Sequence, residues 1–333
     1  MSRVRPTASV IVVNWNGELL LDRCLTSLAA QTYGEREVIL VDNGSTDDSV
    51  GLVQRKFPEV QIVTLRENRG FAGGNCEGLK AAEGELIALV NNDVRLEAQW
   101  LERLCAAMAG HPEVGIGASK VLVEGTGRIN SAGSGATTAG VGFNRGAGAP
   151  ATAYERPELV FGGYGAAVLY RRAMLDDVGF LDEDFFLYQE ETDLNFRAQL
   201  AGWKCLYVPD AVAHHVVGAT ADGQPGIRAY YHARNLELTW LKNMPLSLMI
   251  RFAHHKAIQE LWSCWYHCVR GQLRPFIRAK WDTLRMLPGT LGKRRTVQRK
   301  RRVSSAYVKS LLAPVLGREL LRQKLLQVLG VKH

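Results

Sequence analysis

The stretch VDNGSTDDSVGL, residues 41–52, decides how this chain is read. An apolar run over 38–41 stops at an acid, Asp42, and Asn43, Gly44 and Ser45 follow before a helical pattern begins. A short β-rich run that is apolar on both parities reads as a strand buried on both faces. Four similar runs lie at 10–13, 62–65, 86–90 and 114–117. Helical patterns separate them: Leu20, Cys24 and Leu28 share a face, as do Val50, Val53 and Phe57, then Trp100, Leu104 and Met108. Strands alternating with helices imply an α/β fold built on a mostly parallel, doubly wound sheet.

Ligands of open α/β sheets bind at the carboxyl ends of the strands, beside the point where strand order reverses. Here four successive strands deliver polar residues to that edge. The first ends in Asn14, Trp15, Asn16 and Gly17, the second in Asp42, Asn43, Gly44 and Ser45, and the fourth in Asn91, Asn92 and Asp93. The third is followed by ENRGFAGGNCEGL, residues 67–79. Asp42 or Ser45 alone would serve equally well as a helix cap. Four such ends together favour a ligand site, in which a carboxylate accepts from a base or ribose and Gly44 lets the backbone pass a planar ring. Gly70, Gly73, Gly74 and Asn75 stand where a helix start could offer N–H groups to a phosphate. The spacing is neither the dinucleotide Gly-x-Gly-x-x-Gly nor a Gly-Lys-Ser/Thr phosphate loop, so nicotinamide and ATP folds lack their fingerprint.

Asn91-Asn92-Asp93 suits a partial ligand set for Mg²⁺ or Mn²⁺, although a polar turn explains the triplet as well. The segment FFLYQEETDLNF, residues 185–196, crowds Glu190, Glu191 and Asp193 behind aromatic residues. Carboxylates against a hydrophobic wall acquire raised pKa values and serve as general bases; the same acids also suit a helix N-terminus. His214 and His215 offer an imidazole to the metal, or an ordinary pair on an edge strand.

The remaining segments carry less chemistry. Residues 124–153, rich in Gly, Ala, Ser and Thr, read as loop, 160–172 as a strand, and 185–201 as a turn feeding a helix. From about 228 helical patterns dominate. Charge is divided unevenly: residues 251–333 carry 19 Lys+Arg against 3 Asp+Glu, and the rest of the chain 22 against 30. A basic region carrying Trp262, Trp265, Tyr266, Trp281 and the run GKRRTVQRKRR (292–302) suits an anionic membrane surface, with a solvated basic face as the plainer alternative. No nucleic-acid recognition module is visible, so nucleic acid is not expected. Six cysteines without a Cys-x-x-Cys pair suit reduced thiols of a cytosolic protein. Neither a signal-peptide core nor an 18-residue apolar span is present.

Taken in order, SVIVVNWNG, ILVDNGSTDDS, ENRGFAGGNCEGL, LIALVNNDV, GAAVLYRR, FFLYQEETDLNFRAQLAGW and the His-His segment resemble glycosyltransferase family 2, in its rhamnosyltransferase-like branch. The likeness covers roughly residues 8–245. It implies a GT-A fold over 1–245, with 246–333 as a helical, basic, membrane-associating extension. It also implies an inverting transfer from a nucleotide-sugar donor to a polyprenyl-diphosphate-linked or polysaccharide acceptor in cell-envelope synthesis, at the inner face of the plasma membrane. The donor would be a dTDP- or UDP-sugar, with dTDP-rhamnose as first choice. By the resemblance, Asp42 contacts the base, Asn68 and the glycine-rich turn shape the donor pocket, and Asp93 with His215 holds the divalent metal. Glu191 is the base and Glu190 its substitute. Arg234-Asn235 matches a family pair that touches donor or lipid phosphate. His215 lies five residues before Thr220, the family's spacing, and His214 six. A nucleotide-sugar-binding membrane adaptor without activity is the alternative, and the retained carboxylates argue against it.

Overall fold

The computed structural model describes residues 8–217 and 225–315. The first half alternates as expected: β1 (Ala8–Asn14), α1 (Glu18–Ala29), β2 (Arg36–Asp42), α2 (Ser49–Lys56), β3 (Gln61–Thr64), α3 (Gly70–Ala81), β4 (Leu86–Asn91), a short β5 (Val94–Leu96), α4 (Trp100–Ala109) and β6 (Val114–Val123). Next come β7 (Arg128–Ala132), β8 (Ser134–Thr137), β9 (Gly142–Asn144), β10 (Glu158–Val160), β11 (Ala167–Arg171), α5 (Arg172–Val178), a 3₁₀ turn (Glu183–Phe185), α6 (Glu190–Leu200) and β12 (Lys204–His215). Helices α7 (Pro225–Asn243), α8 (Leu246–Arg251), α9 (Ala253–Val269), α10 (Leu273–Arg299) and α11 (Ser305–Leu311) follow, and β13 (Leu312–Ala313) ends the described chain.

The main sheet runs β10-β12-β6-β11-β4-β1-β2-β3, with β5 and β7 attached to β12 and β6. Strands β1 to β4 are parallel, and β11 is reversed between β4 and β6. The chain leaves β1 toward β2 and β3, then returns to place β4 on the other side of β1. Strand order therefore reverses at β1/β4, where the topology predicts a ligand crevice. The register aligns Asn14 with Asp42 and Val13 with Asn91, so the polar strand ends form one row.

Alternate residues feed cores on opposite faces. Val10, Val12, Leu40 and Val90 join α1 and α4 on one side, while Ile11, Ile39, Val41 and Leu89 pack toward α5 and α6 on the other. That two-sided burial is why these strands read as continuous apolar runs. Helix α3 lies close against β1. A Cβ at Gly74 would come within 2.7 Å of Val13 Cγ1, and one at Gly78 within 2.5 Å of Ile11 Cγ2.

Two readings need correction. Residues 124–153 contain β7, paired with β6, and the β8–β9 hairpin, which β13 extends. Small residues are needed there, since the Phe143 ring fills the space a Cβ would take at Gly135. Tertiary pairing overrides weak strand propensity. The 160–172 strand is two strands with a turn between. Asn195 fixes that turn, donating to Gly163 O at 2.9 Å and accepting from Gly163 N at 3.2 Å.

The helices after residue 245 share a core with the rest: Leu248, Phe252, Val297 and Val308 cluster with Phe196 and Leu200. Part of their charge is spent internally. Lys293 reaches Asp182 and Asp184, Arg302 pairs with Asp177, and Lys256 and Lys280 meet Glu237 and Glu260. No helix among the described residues is long and apolar enough to cross a membrane.

Candidate active site

At the β1/β4 crevice Asn14 is the hub. Its Oδ1 accepts from Asn92 Nδ2 at 2.8 Å, its Nδ2 donates to Ser45 Oγ at 3.3 Å, and its carbonyl accepts from Asn43 N at 2.8 Å. Asn16, at φ 51°, accepts from Thr46 N at 2.7 Å. The Asp42 carboxylate is buried and accepts from Ser45 N at 3.3 Å. It does not cap the next helix: α2 begins at Ser49, whose N–H goes to Asp47. The plainer reading of Asp42 therefore fails, while its place in the row of strand ends stands.

The second loop is organised differently from the expectation. Buried Asn43 donates to Asn68 Oδ1 at 3.1 Å and Gly70 O at 3.0 Å, and accepts from Arg69 N at 2.9 Å. It ties the 43–45 loop to the 68–70 loop. Gly44 and Gly70 both have positive φ. A Cβ on Gly44 would meet the Glu67 backbone at 2.9 Å, and one on Gly70 the Phe186 carbonyl at 2.3 Å. The close approach that Gly44 permits is thus to the chain itself rather than to a base. The start of α3 is also engaged, with Gly70 N donating to Asn68 Oδ1 and Ala72 N to Phe186 O. Gly73 and Gly74 abut Arg69 and Val13, and Asn75 bonds back to Phe71 O. The N–H groups of Gly70 and Ala72 are therefore not left for a phosphate.

Asp93 and His215 meet across the β5–β12 pairing, Asp93 Oδ1 lying 3.2 Å from His215 Nε2. Both are nine-tenths or more buried. On the far side His215 Nδ1 lies 3.0 Å from Asn130 Oδ1. With Nδ1–H donating there, Nε2 turns its lone pair toward a carboxylate oxygen, an arrangement that suits a shared cation. His214 points the other way, to Glu97 at 3.1 Å, so the geometry selects His215; its spacing partner Thr220 lies outside the described residues. Beside Asp93, the buried Asn91 Oδ1 has no hydrogen-bond partner. Among the described residues no three acids, histidines or cysteines form a complete metal cage, and Mg²⁺ or Mn²⁺ commonly takes one or two carboxylates with substrate phosphate oxygens.

The acidic segment rests on a strained turn. Phe186, Tyr188 and Gln189 all have positive φ, between 62° and 73°. Non-glycine residues in this region cost about 1–3 kcal/mol each, so the surroundings must impose the shape. Asn235 does so, its Nδ2 lying 2.8 Å from the carbonyls of Phe185, Leu187 and Tyr188. Arg234 assists, reaching Asp184 O at 2.5 Å and Phe185 O at 3.1 Å from Nη2. Expected at the donor, Arg234 is instead buried beneath this turn between Tyr230 and Tyr231.

The turn presents Glu190 and Glu191 at the start of α6. Burial raises both carboxyl pKa values; Glu190 is pushed further by its neighbour Glu191. Neither makes an ion pair among the described residues, and Oε2 of each is buried without a partner. Glu191 lies against Gly165, about 3.7 Å from where its Cβ would stand. Tyr164, next in the same turn, links the two halves of the site. Burial, then Glu191, then more weakly Asp93, raise its pKa, and its ring lies 6.0 Å from that of His215. Arg228, exposed at the start of α7, bears on the same phenol. Sequence reading missed Tyr164, Asn130 and Arg228. Asn130 and Tyr164 sit in small-residue segments that carry no motif, although the polar Asn130 between Ile129 and Ser131 was a signal available to be read.

The family described as Glycosyl transferase family 2 matches residues 9–179. An N-acetylglucosaminyl-diphospho-decaprenol L-rhamnosyltransferase of Mycobacterium tuberculosis is 27% identical over 248 residues, 67% of this chain and 80% of that one. The O-antigen biosynthesis protein RfbC of Myxococcus xanthus is 29% identical over 67% of this chain but 18% of its own length. Among solved structures, GalNAc-T7 with UDP, GalNAc and Mn²⁺ aligns at TM-score 0.58 and 15% identity, over 72% of this chain and 48% of that one. The mannosyltransferase PcManGT from Pyrobaculum calidifontis, with GDP-Man and Mn²⁺, aligns at TM-score 0.55 and 18% identity, over 93% and 86%. Sheet order, crevice and family match agree: the chain belongs to glycosyltransferase family 2 and is a glycosyltransferase with the GT-A fold.

Proposed function

We propose that this enzyme is an inverting, metal-dependent transferase that moves a sugar, rhamnose from dTDP-rhamnose as first choice, onto a lipid-linked glycan. The observation that carries the reading is the Glu190–Glu191 pair, without an ion-pair partner among the described residues, lying against Gly165 next to Tyr164, whose ring is 6.0 Å from that of His215 beside Asp93. Burial raises both carboxyls of this interacting pair, which suits proton exchange with a hydroxyl. Glu191 takes the proton of the acceptor hydroxyl while that oxygen bonds to the anomeric carbon. The bond from that carbon to the nucleoside diphosphate breaks on the opposite face.

Asp93 and His215 would hold the divalent cation, Mg²⁺ or Mn²⁺, with donor phosphate oxygens completing its shell. Bound there, it would neutralise charge growing on the leaving diphosphate. Asp42 and Asn14, with Asn16, Asn91 and Asn92, line the nucleotide end. Arg228, rather than the buried Arg234, supplies the cation nearest the donor. A polyprenyl-diphosphate acceptor, suggested by the mycobacterial relative, places the work at the inner membrane face.

Thermal shift across dTDP-, UDP- and GDP-sugars, with and without Mn²⁺ or Mg²⁺, tests this reading. A metal-dependent rise for dTDP-rhamnose above the others is expected. A rise that ignores metal, or that another nucleotide produces more strongly, overturns the donor assignment.

A further inference from the structure

The chemistry above leaves the outer face of the C-terminal helices unused. On α9, Leu261, Trp265 and Val269 are 48–73% exposed, and on α10 Ile277, Trp281 and Leu284 are 57–61% exposed. At 100° per residue each trio forms one stripe. The stripes lie away from the side chains these helices bury, Lys256 and Gln259 on α9 and Phe276, Ala279 and Thr283 on α10. The Lys280–Glu260 pair joins the two helices, and both stripes are exposed. Such an apolar face is not left to water without a purpose.

Farther along α10 the surface changes character. An open cavity of about 470 Å³ between α8 and α10 is lined by Arg294, Arg295, Arg301, Gln298, Ser247 and Leu246. Arg294 Nη1 donates to the carbonyls of Leu241 and Met244 at 2.7 Å, which fixes its guanidinium in the lining it shares with Arg301. Among the described residues none of the three arginines has a carboxylate within ion-pair distance. Like charges crowded around a cavity suit an anion, and a guanidinium fork matches phosphate oxygens. Leu246 in the lining is 64% exposed, and Leu291, three residues before Arg294 on α10, is 41% exposed. A phosphate site that continues into an apolar stripe has the polarity of a phospholipid at the bilayer interface.

We propose that the α9–α10 face docks on an anionic bilayer, its apolar stripes entering the interfacial layer while Arg294, Arg295 and Arg301 hold a phospholipid phosphate. The docking serves, and in its purpose rests on, the lipid-linked acceptor proposed above, yet it can be measured without any sugar transfer.

The test is flotation of the full chain with phosphatidylglycerol vesicles and with phosphatidylcholine vesicles. The wild type is expected to bind the anionic vesicles preferentially. Trp281→Glu with Leu284→Glu should lower that binding by about tenfold or more. Arg295→Gln and Arg301→Gln should each lower it about fivefold while leaving phosphatidylcholine binding unchanged. All these positions are outside the catalytic crevice, so melting temperature and the donor-induced thermal shift should hold. Vesicle binding that the variants do not alter overturns the proposal. So does a concentration-dependent dimer, seen by light scattering, that Trp281→Glu dissolves without any vesicle binding, because a second copy would then cover the face. Stronger binding to duplex DNA than to the anionic vesicles overturns it as well. Persistent vesicle binding with no donor shift would sink the donor assignment alone.

Discussion

Two carboxylate settings lie within one turn of α6 and have opposite fates. Asp193, fully buried, receives Arg197 Nε at 2.8 Å, Lys242 Nζ at 2.9 Å and Asn243 Nδ2 at 2.8 Å. Despite burial, Lys242 and Arg197 hold its pKa below the ordinary value. Glu190 and Glu191, on the preceding residues, have no cation among the described residues, and burial holds both high. The difference lies in the partners, and Glu191 is also less deeply buried than Asp193. A buried acid with two cations is a structural tie. A buried pair without one is held in a state that favours taking up a proton.

Breaking the tie should have the largest effect. Asp193→Ala leaves buried Arg197 without a carboxylate and Lys242 with Asp182 alone, and should cost about 3–5 kcal/mol in chemical denaturation. Asp93→Asn should slow transfer by about 10²–10³ while removing the metal dependence of donor-induced stabilisation. Asn235→Ala removes a donor that three carbonyls of the strained turn share, leaving Phe185 O to Arg234. It should cost about 1–3 kcal/mol and lower kcat as well, because that turn aims Glu191.

The smallest effect sharpens the contrast through pH. A carboxyl whose folded pKa is raised makes the folded state bind more protons than the unfolded state, so stability falls as pH rises from the ordinary 4.5 toward the raised value. Glu190→Gln removes that cost, and should melt about 1 kcal/mol more stably than wild type at neutral pH. The gap should close as pH drops below 4.5. Asp193 has the opposite sign: its contribution is complete above the unfolded value of 3.8 and is lost as pH falls through the lowered folded value. Parallel melts from pH 7 to pH 3 should therefore show the two effects in separate windows.

The half of the fold that alternates strand and helix was legible in the sequence because its strands are buried on both faces, so residues such as Ile11 and Leu40 announce themselves. The β7–β9 region was not, since Ser131, Ala132 and Ala136 are buried by pairing rather than by hydrophobicity. At the candidate site, the expected positions of Asp42 and Asp93 by strand ends and of Glu191 at a helix start agree with the structure, which also brings Asp93 beside His215. Arg234 and the glycines of α3 were misjudged for a common reason. A motif fixes residue type and spacing, whereas the direction of a side chain depends on what packs behind it. Arg234 turns inward because Asp184 and Phe185 present carbonyls there, and Gly74 is small because Val13 lies beneath it.

The role of Glu191 as base is decided by sugar transfer with Glu191→Gln at a donor concentration where thermal shift shows the site filled. An unchanged donor-induced shift is expected, with transfer slower by about 10²–10⁴. Turnover at the wild-type rate would rule Glu191 out as the base.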